Sequence, residues 1–338
     1  MFQLPSVFPV LHKEAELESV KQYSLLIDHK YLLYRAFHAT SHRLLGDPGV
    51  LLYAMRTLFY VLSEFPPKEV VVCSDSAPYA REELYFHYKS DRTHLEDEDQ
   101  DIFDEASDNF LHCIRFLGIP FVKIASAEAD DIIFKYVQTN PEKNWVILSS
   151  DSDLVEIHSY SDSVTQVYPK NFSQGGGYNI LNKNTSLEQY PEFAGRFWLS
   201  KLLFALHSGH NGAPSISKLG VKKARALIAS IPEEISTLER ACEFLLQTGI
   251  IGSYPLRAYK EVIRLNLQLQ TFPFPGLELN LPEMGWNPQP LSFIGAMKAA
   301  NVNETISASL LRKIGVEVVE VEVVDNIAYF DHNLRGDL

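Results

Sequence analysis

Seven acids fall in four groups along the 338-residue chain: Asp28, Asp75, the run Glu128-Ala129-Asp130-Asp131, and Asp151-Ser152-Asp153. Hard divalent cations take oxygen ligands, usually a few carboxylates completed by waters and substrate phosphates. Carboxylates crowded together repel strongly unless a cation lies between them. Glu128 and Asp131, three apart at a helix start after Ser126, share a face, while Asp130 points elsewhere. Taken singly, each acid has a plainer reading as a strand-end turn former or as part of a negative first helical turn. Taken together at predicted sheet ends, they point to one divalent-ion site.

The elements that would position them are legible as apolar stretches ending in acids or polar turns. These are 23–28 (YSLLID), 70–75 (VVVCSD), 119–124 (IPFVKI) and 145–150 (WVILSS), each reading as a strand buried on both faces. Helical patterns over 49–64, 101–117 and 129–138 lie between them. The alternation predicts an α/β fold with a mostly parallel central sheet flanked by helices. Ligands of such sheets bind beyond the carboxyl ends of the strands, where these acids stand. Residues 171–184, rich in Gly and Asn, read as a loop or hairpin leaving the first domain, and the pattern turns helical from Tyr190. Residues 272–290 are proline-rich, 293–300 and 306–314 read as helices, and 316–324 (VEVVEVEVV) as a strand.

Composition excludes disorder and a membrane protein: 46% of residues are hydrophobic and 22% charged, and no apolar run is long enough to cross a bilayer. No secretory signal is visible at the start. The three cysteines, Cys73, Cys113 and Cys242, match no zinc spacing, so a reducing cytoplasm is expected. The net charge of −13 opposes a polyanionic partner in total, but acids gathered around metal ions are neutralised by them and local basic stripes can still grip phosphate.

Two such stripes occur. Residues 79–92 (YAREELYFHYKSDR) read as a helical segment with interleaved aromatics, where Arg81, Lys89 and Arg92 could hold a scissile phosphate. A solvated helix with ordinary ion pairs is the plainer alternative. Further on, Lys218, Lys222, Lys223 and Arg225 surround Gly220, which opens a helix whose free amides would face a phosphate. Contacts of this kind read backbone rather than bases.

The order Asp28, SDSAPYAREELYFHYKSDR, EADD and SSDSDL resembles the flap endonuclease and 5′-to-3′ exonuclease superfamily, especially its bacteriophage branch with the RNase H of T-even phages. The resemblance covers residues 21 to about 160 and, more weakly, 195–235. It implies a PIN-like nuclease core over 21–190, a helical arch at about 79–112, and a helix-three-turn-helix within 191–265 that grips duplex DNA. Residues 1–20 and 266–338 would be extensions. It further implies that Asp28, Asp75, Glu128, Asp130, Asp151 and Asp153 hold Mg²⁺ or Mn²⁺ directly or through water. Lys89 and Arg92 would be the catalytic pair, supported by Arg81, and a K⁺ ion would bridge the turn to DNA. Branched or 5′-ended duplex DNA and RNA·DNA hybrids would be substrates of a monomeric enzyme that removes primers. Replication proteins such as a single-strand binding protein would be its partners.

The sequence departs from the superfamily where a Gly-Asp-x-x-Asp-Asn stretch supplies a second metal. Here the segment reads His207-Ser208-Gly209-His210-Asn211-Gly212, and no aspartate occurs between Asp162 and Asp325. Asn211 offers only a carbonyl oxygen, so a weak second ion is expected. A structure-specific DNA binder with feeble catalysis stays open as an alternative, as does a small single-strand ribonuclease of the acidic, toxin-like type. The acidic stretch 96–108 reads as a solvated helix face that would discourage threading of long flaps. Asn211→Asp is expected to raise cleavage at low Mg²⁺; an unchanged Mg²⁺ titration would remove the weak-second-ion account.

Overall fold

The computed structural model describes residues 22–318 apart from 41, 91–94, 171–176, 208–211, 217–218 and 252–253. A six-stranded sheet has the order β3-β2-β1-β4-β5-β6, with β1 (Tyr23–Asp28), β2 (Pro67–Ser74), β3 (Phe121–Lys123), β4 (Trp145–Leu148), β5 (Val164–Pro169) and β6 (Tyr178–Asn182). All neighbours run parallel except β5 and β6, which form the hairpin expected near 171–184.

Alternation along the inner strands divides the core. Leu25, Ile27, Val70, Val72, Val146 and Leu148 face one cluster, which also holds residues of α1 (His29–Ala39), α2 (His42–Glu64) and, after the five-residue α3 (Ala80–Leu84), α4 (Asp97–Arg115). Leu26, Val71, Cys73, Trp145 and Ile147 face the other, against α5 (Ala129–Thr139) and a 3₁₀ helix, Ser152–Ser159. Period-two side chains buried on both faces explain why these strands read as continuous apolar runs.

Beyond β6, the chain forms α6 (Lys183–Gln189), α7 (Leu199–Leu206), α8 (Val221–Ala229), α9 (Leu238–Thr248) and α10 (Lys260–Leu269) around a separate cluster that includes Phe193, Phe197, Leu206, Ile228 and Leu245. The 3₁₀ helix joins the two bodies, giving Leu154 and Ile157 to the sheet and Val155 to the helical cluster. Then α11 (Pro290–Ala299) packs on α4 and α12 (Glu304–Lys313) on α2, adding Phe293, Met297, Leu310 and Leu311 to the first core cluster. The described part of 266–338 thus shares its core with the helices flanking the sheet. Most of the strand expected over 316–324 lies outside the described residues. Among the described residues, no helix is long and apolar enough to cross a membrane.

Two local expectations change. The strand expected over 119–124 shrinks to three residues with an exposed, buried, exposed pattern, because it is an edge strand. The rest of the β2 edge is covered by Gly285, whose backbone exchanges two hydrogen bonds with Val70, at 2.9 and 3.0 Å. The helix expected over 79–92 stops at Leu84, since Tyr88 turns inward to pack with Tyr79 and Leu269. The other acids of 96–108 form the solvated face of α4, as expected, while Asp99 is buried with Phe103, Ala106 and Phe110 on the opposite side.

Arg81 and Asp131 are corrected. Arg81 is 0% exposed and cannot reach a substrate phosphate. Its guanidinium donates to both Asp131 carboxylate oxygens at 2.8 and 2.9 Å, and to the carbonyls of Leu269 and Thr271 at 2.9 Å each. The rings of Phe272 and Phe274 stand 4.6 and 4.9 Å away. Asp131 in turn accepts from the backbone N–H groups of Glu128, at 2.9 Å, and Phe274, at 2.8 Å, leaving it a structural anion rather than a metal ligand. Removing one partner of a buried pair strands the other charge, so Asp131→Ala should cost about 3–5 kcal/mol. Thermal melting in EDTA should show Tm lower by roughly 5–15 °C; an unaltered Tm without metal would return Asp131 to the metal site.

Candidate active site

In chain order the sheet grows from β1 to β2 on one side and to β4 on the other, so the strand order switches direction between β1 and β4. A crevice opens at such a point beyond the strand ends. A cleft of about 210 Å³ lies there, lined by Asp28, Asp75, Asp130 and Asp151, with Lys30, Lys89, Tyr31, Tyr34 and Ser149 among its other walls.

Each acid is held by its element's end. Asp28 closes β1 and caps α1, accepting from Tyr31 N–H at 3.0 Å and from the Ser149 hydroxyl at 3.0 Å. Asp75, just past β2, accepts from the first backbone N–H of α5, that of Ala129, at 2.8 Å, and from the Tyr79 hydroxyl at 3.2 Å. Asp151 follows β4 and caps the 3₁₀ helix by accepting from Asp153 N–H at 2.9 Å. Asp130 sits in the first turn of α5. Burial, followed by the nearby charge of Asp75, pushes the Asp28 carboxyl up to about 7. Burial and then Asp151 push Asp130 well above the usual carboxylate range. The same two causes raise Asp153.

Glu128 and Asp153 are 2% and 5% exposed. Glu128 is bound by Lys89 Nζ at 2.6 Å and accepts from the Tyr88 hydroxyl at 3.2 Å. Lys89 itself is held in the left-handed region at φ 58° and lies 4.5 Å from the Tyr79 ring centre. Arg92 lies outside the described residues. Among the described residues, no three His, Cys, Asp or Glu side chains are gathered tightly enough to enclose an ion. The four carboxylates instead ring an open cleft. Hard oxygen donors crowded on one open cleft, with Asp28 and Asp130 pushed up by burial and then by neighbouring carboxylates, fit a divalent ion that keeps several waters.

In the helical body, Gly220 caps α8 without a side-chain bond, and Lys222 and Lys223 are exposed at its start. Arg225, half-buried, pairs with Glu192 at 2.6 and 2.9 Å and donates to the Gln189 carbonyl, fastening α8 to the end of α6 and the turn after it. Asn211 and Lys218, with Ser208 and His210, lie outside the described residues. The residues that sequence reasoning missed are Lys30, Tyr79 and Ser149, which hold or face the acids. Their signal was proximity in sequence to Asp28, Asp75 and Asp151.

The model of the 5'-3' exonuclease, N-terminal resolvase-like domain, matches residues 23–190. A 5'-3' exonuclease of Buchnera aphidicola is 32% identical over 262 residues, covering 73% of this chain and 80% of the relative. One from Bacillus subtilis is 29% identical over 232 residues, covering 65% and 73%. Among solved structures, bacteriophage T5 flap endonuclease in a pseudo-enzyme-product complex with DNA and metal ions shares the fold. Its TM-score is 0.56 at 16% identity, over 87% of this chain and 100% of that one. A cleft of strand-end carboxylates at the sheet's switch point, together with these sequence relatives, shows that the chain belongs to the 5'-3' exonuclease family.

Proposed function

We propose that this nuclease hydrolyses phosphodiesters at 5′ ends and junctions of duplex DNA with a divalent ion, Mg²⁺ or Mn²⁺. The observation that carries the reading is the convergence of Asp28, Asp75, Asp130 and Asp151 on one cleft with Lys89 on its wall. These four would hold the ion, with Glu128 and Asp153 supporting it from behind. Such an ion would supply Lewis acidity and the lowered pKa that makes water a nucleophile at neutral pH.

The chain's own groups do the rest. Lys89, with Arg92 beside it in sequence, would balance the charge that grows on the phosphate. The N-terminal amides of α8, with Lys218, Lys222 and Lys223, would hold the duplex backbone, and a K⁺ ion at that turn would bridge to phosphate. Asn211 would leave a second ion weakly held. RNA·DNA hybrids of the kind left by priming are included among the substrates, and replication proteins such as a single-strand binding protein among the partners. The absence of the second aspartate pair from 207–212 supports one competing reading, a branched-DNA binder with feeble catalysis.

Labelled 5′-flap, nicked DNA and RNA·DNA duplexes, each in Mg²⁺ and Mn²⁺, decide between the two. Binding without any cleavage would establish the binder. Because even outer-shell partners of metal ligands are worth about 10–100-fold, Asp151→Ala should lower cleavage by at least ~100-fold while duplex binding persists.

A pH prediction follows from Asp28. Its folded carboxyl is held near 7 against an ordinary 3.8, so the folded state binds this proton more tightly. The associated stability is present below the ordinary value and lost as pH rises through about 7. Buried His29 and His158, both pushed down to about 4, act in the opposite sense as pH falls toward 6.5 and offset Asp28 there, so the Asp28 contribution is read against Asp28→Asn. Without metal, the Tm of wild type relative to Asp28→Asn should be higher at pH ~6.5 than at pH ~8, and Mg²⁺ should raise the wild-type Tm more at the upper pH. A wild-type-to-Asp28→Asn difference that is flat across this window would contradict the crowding of charge on Asp28.

A further inference from the structure

Two ammonium groups reach the active-site cleft, and they are placed differently. Lys89 is 8% exposed and turned back onto Glu128 at 2.6 Å. Lys30, on the first turn of α1 two residues after Asp28, is 38% exposed. Its Nζ stands 3.5 Å from Asp75 Oδ2 and donates to the Tyr79 hydroxyl at 3.3 Å. Tyr79 donates onward to the same Asp75 oxygen at 3.2 Å. The Tyr79 ring is therefore a shared wall, 5.9 Å from Lys30 Nζ and 4.5 Å from Lys89 Nζ.

We propose that Lys30 binds a phosphate of the strand being cut, as the second cation of a pair with Lys89 built around Tyr79. The proposal rests on the nuclease reading and adds to it a substrate-binding residue. The cleft wall carries four carboxylates, so a phosphodiester enters against a strong negative field unless positive charge stands on the wall itself. Once a divalent ion occupies Asp75, Lys30 loses the need to neutralise that carboxylate. It stays tethered to the cleft by a short helical turn and a tyrosine hydroxyl, where an incoming phosphate oxygen is its natural counter-ion. Partial exposure keeps the ammonium hydrated and free to exchange partners. A fully buried lysine could not do this without leaving its partner unpaired.

The test uses the full chain as wild type, Lys30→Met and Lys30→Arg, on a nicked duplex carrying either a 5′-phosphate or a 5′-hydroxyl. Steady-state cleavage in Mg²⁺ gives KM and kcat, and anisotropy in Ca²⁺ gives Kd. Melting curves and a Mn²⁺ titration of the metal-binding midpoint are recorded for each variant. A charge-assisted hydrogen bond to phosphate predicts KM and Kd raised roughly 10-fold in Lys30→Met, with kcat changed less and with recovery in Lys30→Arg. Loss confined to the 5′-phosphorylated substrate assigns Lys30 to the terminal phosphate. Equal loss on both substrates assigns it to the scissile diester. Both outcomes support the proposal.

KM and Kd within twofold of wild type in Lys30→Met overturn it. So does a lowered Mn²⁺ midpoint with unweakened DNA binding, which would mean that Lys30 only competes with metal for Asp75. A wild type that binds but does not cut overturns the nuclease reading instead, and the Kd comparison still decides on Lys30.

Discussion

Crowding of half-buried carboxylates is the constraint around which the rest of the protein is arranged. Asp28, Asp75, Asp130 and Asp151 share one cleft of about 210 Å³, and the proton affinities of Asp28 and Asp130 are raised first by removal from water and then by a neighbouring carboxylate, Asp75 for Asp28 and Asp151 for Asp130. Left to themselves, these groups would spread the strand ends apart or take up protons. They are held by backbone N–H groups at helix starts, by hydroxyls of Ser149 and Tyr79, and by the ammonium of Lys30. Each of these interactions favours the charged form, and together they keep a site that binds cations ready without one.

A second charged assembly lies beneath the first and serves a different end. The Arg81 guanidinium joins α3 to α5 through Asp131, and both to the end of α10 and the turn after it through two carbonyls. Asp131 also accepts from the backbone N–H of Glu128, so the start of α5, which carries Asp130 into the cleft, is set by this buried pair. A buried ion pair is poor evidence of added stability, because desolvation offsets its attraction. Its value here is geometric, since five directed hydrogen bonds fix where a helix start meets the cleft.

The helical body is bound to the sheet through the 3₁₀ helix that begins directly at Asp151. Glu156 of that helix pairs with Lys201 of α7 at 3.0 Å, and Val155 enters the helical cluster. The same α7 packs against α8, whose start carries Lys222 and Lys223. On the other side, α11 and α12 pack on α4 and α2, so the core cluster there draws residues from both ends of the described chain.

The sequence by itself determined the parallel sheet and the acid groups at its strand ends, because doubly buried strands and polar strand ends leave local patterns that need no knowledge of partners. Asp28, Asp75, Asp130 and Asp151 were legible for that reason. Only the tertiary structure decided which charged residues face the cleft and which face the interior. Arg81 and Asp131 looked like Lys89 and Asp130 in sequence, yet they are buried against each other because the end of α10, 188 residues from Arg81, supplies the carbonyl at Leu269. Arg225 finds its carboxylate in Glu192, 33 residues away, and Lys30 was placed in the cleft by the turn of α1 after Asp28. A side chain's partner depends on segments brought together from far along the chain, so charge type alone could not assign these roles.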